Sequence, residues 1–165
     1  MDQIRREDVM FKTILWATDG SANADRALPV VKELAEAKGT KLVVAHCREL
    51  LTGRAAGLPV NADEDELVTK IRAQAAELES VGFDTRVDVV TTSGTNAPHV
   101  IADLAREHEA DVIVVGTRGH SPLVGALLGS VTQRLLHIAP CPVLAVPTGE
   151  HAESKERTLT TTAAG

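Results

Sequence analysis

The sequence predicts an α/β fold, a single doubly wound open sheet of five parallel strands with helices on both faces. Three observations carry that expectation. Short apolar runs with β-branched residues alternate strictly with stretches whose apolar residues recur at helical spacing, in the order βαβαβαβαβ, and strict alternation implies parallel strands joined by right-handed crossovers. The run Val112-Ile113-Val114-Val115 is the most continuous apolar stretch in the chain, as a central strand covered on both faces should be. Only Phe11, Trp16 and Phe83 are aromatic although 44% of the 165 residues are hydrophobic, so the core is made of small aliphatics in thin, close layers. A domain of this length buries about 70% of its unfolded surface and requires neither disulfide nor metal to hold it.

The first strand spans residues 12–18 and ends at the turn residues Asp19-Gly20-Ser21. Ser21 is suited to cap a helix whose inner face carries Ala24, Ala27, Leu28, Val31, Leu34 and Ala35, and Gly39 stands where a left-handed C-terminal residue belongs. Residues 42–45 form the second strand. A polar loop through Gly53, Gly57 and Pro59 leads to a second helix bearing Leu67, Ile71, Ala75 and Leu78 and ending at Gly82. The third strand, 85–91, alternates Arg86, Val87, Asp88 and Val89, the pattern of a strand with one less covered face. Asn96 and Pro98 open the third helix, which Val100, Ile101, Leu104 and Ala105 mark. Asp111 leads into the fourth strand. A fourth helix runs from 130 to 138, and 142–146 is a fifth strand set between prolines, as an edge strand tolerates. Residues 1–10 are expected to be a flexible extension and 11–147 the folded domain. The tail, 148–165, is rich in Thr, Ala, Glu and Lys and is expected to be disordered.

Charge and composition exclude several function classes. Seventeen basic against 23 acidic residues give a net charge of −6, and nowhere do more than two basic residues adjoin, so binding to DNA or RNA by counterion release is not expected. Three aromatics spread along the chain are too few for a base-stacking platform. The segment 1–8 lacks the apolar core of a secretory signal, and no run approaches the ~18 apolar residues of a membrane span. Cys47 and Cys141 form no Cys-x-x-Cys pair, which suits a reducing compartment, so the expected location is the cytoplasm.

In doubly wound sheets ligands bind beyond the carboxyl ends of the strands, where strand order reverses. Two loops stand out there, Asp19-Gly20-Ser21 and residues 116–132. The longer holds four glycines and ends at a helix start, where unpaired backbone N–H groups and the positive end of the dipole favour an anion. Ser130 and Thr132 add hydroxyl donors, and glycine at 116 and 119 lets backbone approach a bulky phosphate. The physical reading is a phosphate cradle; its plain alternative is a tight connection. Asp19 is either a ligand or a turn former and cap beside Ser21, and Arg118 either a phosphate contact or a solvated charge. His120 is either an acid or base of the loop or, standing alone there, a bystander. Cys47 and Cys141 read as small core hydrophobes, with redox sensing as the alternative. His46, His99, His108 and His137 show no ligand spacing, residues 106–111 read as a charged helix end, and no metal site is expected.

The motif Gly116-x2-Gly119-x9-Gly129-Ser130 resembles the nucleotide-binding motif of the ATP-binding branch of the universal stress protein (UspA-like) family. The resemblance covers residues 12–147 and includes the opening 14–21, the strand end Ala45-His46-Cys47, and the segments 110–116 and 141–146. It implies a Rossmann-like sheet of order 3-2-1-4-5. It also implies that Asp19 lies against the nucleoside with Ala17 and Thr18 beside it, although many members carry proline where this chain has Ala17. Cys47 matches the position whose backbone meets adenine. Val115, Gly116, Arg118, Gly119 and His120 would wrap ribose and phosphates, and Gly129, Ser130, Val131 and Thr132 would hold the phosphate chain. The implied ligand is ATP with Mg2+, and the implied assembly a homodimer seamed along Val143–Val146. The expected function is that of an ATP-binding regulator in the stress response, with no catalytic residue assigned. Two alternatives stay open: a slow ATP hydrolase or nucleotide-activating enzyme on the same site, for which Asp19, His120 and Arg118 are parts without an assembled set, and a dimeric interaction protein that binds no nucleotide.

Overall fold

The computed structural model describes residues 10–36, 39–50, 64–94, 96–119 and 128–147. The expected N-terminal extension and tail lie outside these except for Met10, as do His120 and the loop through Gly53, Gly57 and Pro59. In chain order the elements are β1 (Thr13–Ala17), α1 (Ala22–Asp25), α2 (Leu28–Ala35), β2 (Lys41–Leu50), α3 (Glu64–Ser80), β3 (Asp84–Ser93), α4 (Ala97–Glu107), β4 (Val112–Gly116), α5 (Ser130–Ile138) and β5 (Val143–Val146). All pairings are parallel and the sheet order is β3-β2-β1-β4-β5, as the sequence led us to expect.

The period-two alternation of the strands divides the core into two layers. Ile14, Trp16, Leu42, Val44, Val112 and Val114 face Val31 and Ala35 of α2 and Ile71, Ala75 and Leu78 of α3. Leu15, Ala17, Val43, Ala45, Ile113 and Val115 face Ile101, Leu104 and Ala105 of α4 and Leu135 of α5. The amino ends of the central strands are stitched by one side chain: Asp111 Oδ2 accepts from the backbone N–H groups of Lys12 at 2.7 Å and Thr13 at 2.9 Å. No helix among the described residues is long and apolar enough to cross a membrane.

Three expectations are corrected. The helix expected after Ser21 is two helices, α1 and α2, broken at Arg26-Ala27. Pro29 lacks the N–H that an unbroken helix would direct at Asp25, and its ring would strike that carbonyl. β2 and β3 run longer than 42–45 and 85–91, pairing from Lys41↔Asp84 to Leu50↔Ser93. Backbone ladder bonds carry both strands past the apolar core, so residues with polar side chains, His46 and Glu49 among them, continue the strand.

At the outer strand, Asp88 accepts from Arg86 Nε at 2.9 Å and lies 2.5 Å from His108 Nε2 at the end of α4. Burial pushes the Asp88 carboxyl up, but the hydrogen bonds and charges of Arg86 and His108 outweigh it and hold the group below its ordinary range. The unfolded chain binds this proton more tightly, so the resulting stabilisation is present above about pH 4 and lost as pH falls through the lowered native value. Asp88→Asn is therefore expected to be less stable than wild type at pH 7, with the difference narrowing below about pH 4. Urea unfolding at the two pH values checks this; a gap as wide at pH 3 as at pH 7 overturns it.

Candidate functional site

β1 and β4 are neighbours, and the chain leaves them toward opposite faces, β1 to α1 and α2 on one side and β4 to α5 on the other. At that divergence lies a cavity of about 400 Å³. Ala17, Thr18 and Asp19 enter it from the end of β1 and Cys47 from β2. Val115, Gly116, Arg118 and Gly119 enter from the end of β4, and Gly129, Ser130, Val131 and Thr132 from the start of α5. The structure thus gathers every site residue named from the sequence that lies among the described residues.

Local hydrogen bonds set the shape. Asp19 Oδ1 accepts from the backbone N–H of Ser21 at 3.0 Å and from its hydroxyl at 2.6 Å, while Ser21 Oγ accepts from the Ala24 N–H at 3.1 Å. Ser21 is therefore the cap of α1, and Asp19 forms the turn before it with Oδ2 directed toward Gly119. Asn23 Nδ2 donates to the Gly119 carbonyl at 3.2 Å, tying the β4 loop to α1. A Cβ on Gly116 would come within 3.1 to 3.4 Å of the Arg118 carbonyl, the Asn23 carbonyl and Ala24 Cα, so backbone packs around that glycine. Gly129 begins α5 without a side chain to occupy the first N–H groups of the helix, and its own N–H donates to the Thr117 carbonyl at 2.7 Å.

The Thr132 hydroxyl departs from its expected role. It is buried and donates to the Gly116 carbonyl at 2.9 Å, fastening α5 to the end of β4, so that proton is not offered to a phosphate. Arg118 and Ser130 are exposed at the cavity. Cys47 contacts the Ala97 carbonyl at 3.8 Å, and burial, reinforced by Glu49, pushes its thiol up to about 12. Such a thiol stays protonated at neutral pH and is a poor nucleophile.

Sequence reasoning missed Glu49, Glu64 and the side chain of His46 as part of the cavity wall. His46 Nδ1 meets the Thr18 carbonyl at 2.9 Å and Nε2 meets Glu64 Oε1 at 2.6 Å, both residues being buried. Burial pushes the Glu49 carboxyl up and the charge of Glu64 adds to it. A histidine placed directly after the buried run 42–45 was the one available signal; nothing in the pattern points to Glu64. Among the described residues no three His, Cys, Asp or Glu side chains are grouped to hold a metal ion.

Fold and site together define a doubly wound α/β protein with a glycine-lined pocket at the switch point of its sheet. The chain belongs to the universal stress protein family, whose description its residues 10–147 match. It is 40% identical over 141 residues to the universal stress protein of the QAH/OAS sulfhydrylase 3′ region in Thermus aquaticus, covering 83% of this chain and 99% of that one. It is 34% identical over 160 residues to MJ0577 of Methanocaldococcus jannaschii, 84% of this chain and 96% of the other. Among solved structures, MJ0577 superposes with a TM-score of 0.64 at 29% identity, over 87% of this chain and all of that one. A universal stress protein in complex with cAMP superposes with a TM-score of 0.58 at 27% identity, over 84% and 98% of the two chains.

Proposed function

We propose that this protein binds an adenine nucleotide in the cavity between β1 and β4 and acts in the cytoplasm as a nucleotide-occupied homodimeric regulator of the stress response. The observation that carries the reading is the glycine cradle. The Cβ of any other residue at 119 would enter the space of the Asp19 carboxylate, and α5 begins beside it at Gly129, which has no side chain to cap the first N–H groups, the arrangement that receives phosphate. Ala17, Thr18 and Asp19 would meet the nucleoside, with the Cys47 backbone at adenine. Val115, Gly116, Arg118, Gly119 and His120 would surround ribose and phosphates, and Gly129, Ser130 and Val131, with the backbone but not the hydroxyl of Thr132, the phosphate chain. The cAMP complex of a related fold supports an adenine ligand.

ATP with Mg2+ is the member of this ligand class that the glycine motif favours. Mg2+ would be held chiefly by phosphate oxygens and water. Binding only the folded state would stabilise it by roughly 2.7 kcal/mol at a hundredfold excess over Kd, which gives a sensor a physical output. Calorimetric titration of dialysed protein with Mg-ATP and with cAMP tests the reading. Saturable binding in the micromolar range supports it, and no heat up to millimolar ligand overturns it.

The homodimer is proposed through β5. This strand pairs with β4 on one side and forms the edge of the sheet on the other, with Leu144 39% exposed on it and Leu136 of α5 49% exposed nearby in the chain. An open apolar edge is a template for pairing with its own copy. Light scattering is expected to give the mass of two chains for wild type and of one for Leu144→Lys; a single-chain mass for wild type removes the dimer.

A further inference from the structure

His46 and Glu64 lie in the cavity wall but take no part in the phosphate cradle, and each is only 3% exposed. The Thr18 carbonyl can only accept, so His46 Nδ1 carries the proton between them, and Nε2 is engaged by Glu64. With both ring nitrogens occupied, His46 is not placed to act as a base on a bound ligand. It is a connector, and it joins the first turn of α3 to the peptide that links Thr18 to Asp19.

Two further contacts from α3 reach the same loop. Gly20 has φ +74, and a Cβ there would lie 2.9 Å from Leu67 Cδ2. Lys70 Nζ donates to the Gly20 carbonyl at 2.8 Å and pairs with Asp25 at 2.5 Å. Residues 64, 67 and 70 succeed one another at three-residue spacing, so neighbouring side chains on one side of the helix grip the loop at consecutive points. Arg48 backs Glu64 from β2, its Nε 3.8 Å from Glu64 Oε1, and its guanidinium also pairs with Asp65.

We propose that Glu64 is a positioning residue for the ligand site: through His46 it fixes the Thr18–Asp19 peptide, so that α3 sets the affinity for the ligand. The inference rests on the nucleotide-binding reading above. Asp19 takes its orientation from the turn with Ser21, but the position of that turn is set from the other side by α3. A ligand seated against Asp19 and the cavity wall would therefore sense whether α3 is in place.

The test compares wild type with Glu64→Ala and Glu64→Gln by calorimetry with Mg-ATP and cAMP, alongside ring 15N shifts of His46. Gln keeps the side-chain length and can meet Nε2 with either its carbonyl oxygen or its amide N–H, whereas Ala leaves that nitrogen without its partner. Glu64→Ala is expected to weaken nucleotide binding about tenfold, the scale of one lost charge-assisted hydrogen bond, with Glu64→Gln within about threefold of wild type. A proton on Nδ1, required by the Thr18 carbonyl, should persist in wild type and in Glu64→Gln, whereas in Glu64→Ala the freed ring should give a mixture. Wild-type affinity in a folded Glu64→Ala overturns the positioning role while leaving the nucleotide reading intact. Failure of wild type to bind either nucleotide overturns both. Should Glu64→Ala not fold, Glu64→Asp, which draws the carboxyl back from Nε2 by one methylene, is the second probe, and wild-type affinity there together with a changed His46 ring shift overturns the proposal.

Discussion

Gly119→Ala is expected to weaken nucleotide binding about a hundredfold, about 2.8 kcal/mol, while leaving the domain folded with a melting temperature close to that of wild type. The new Cβ would lie 2.1 Å from Asp19 Oδ2, far inside van der Waals contact. That oxygen is the end of a flexible side chain, so it can swing aside, and the loss falls on the site and not on the core. Moving it breaks the two bonds from Ser21 and turns away the carboxylate proposed to face the nucleoside. The loop cannot easily retreat instead, because Asn23 holds the Gly119 carbonyl. Gly116→Ala differs, since its Cβ would meet backbone on three sides and the strain would enter the fold itself. Calorimetry with Mg-ATP and cAMP, paired with melting followed by circular dichroism, checks the first substitution. Wild-type affinity in folded Gly119→Ala removes the cradle.

Trp16→Ala is expected to cost about 3–5 kcal/mol of folding stability, a large share of the roughly 5–15 kcal/mol that a domain of this kind has in total. The indole is fully buried in the layer between the sheet and α2 and α3, and truncation leaves a cavity that these neighbours fill only in part. Trp16→Phe is expected to cost far less, under about 1.5 kcal/mol. It keeps most of the volume and removes an indole N–H that has no hydrogen-bond partner among the described residues. Urea unfolding followed by circular dichroism measures both, since the chain has a single tryptophan. A loss below 1 kcal/mol for Trp16→Ala, an order-of-magnitude bound on burial of so large a side chain, would mean that the layer is not packed as described.

The fold class was legible because each βα unit repeats the same switch from β-branched runs to helical spacing, and the buried run 112–115 marks the middle of the sheet. The strand order came from the family resemblance, since alternation alone leaves the order open. Pro29 was visible as a helix breaker, yet the apolar face running from Ala24 to Ala35 hid it. The cradle could be read because a glycine spacing is a local pattern. Glu64 could not, because its link to His46 spans 18 positions and depends on how α3 docks. Thr132 was recognisable as a hydroxyl donor at a helix start, but its acceptor, the Gly116 carbonyl, is chosen by tertiary packing.

The Asp111 stitch also bears on the order in which the molecule assembles. Its backbone partner at Lys12 is 99 positions earlier in the chain, and β1 has β2 on one side and β4 on the other. The first strand of this domain to be made is therefore among the last of its strands to gain both neighbours. Until the ribosome has delivered residues beyond 111, one flank of β1 presents unpaired backbone, and closing so long a loop is slow compared with the local β2–α3–β3 pairing. A nascent chain stalled before that point would be expected to hold a half-sheet with its central strand open, the stage at which a chaperone would have most to protect.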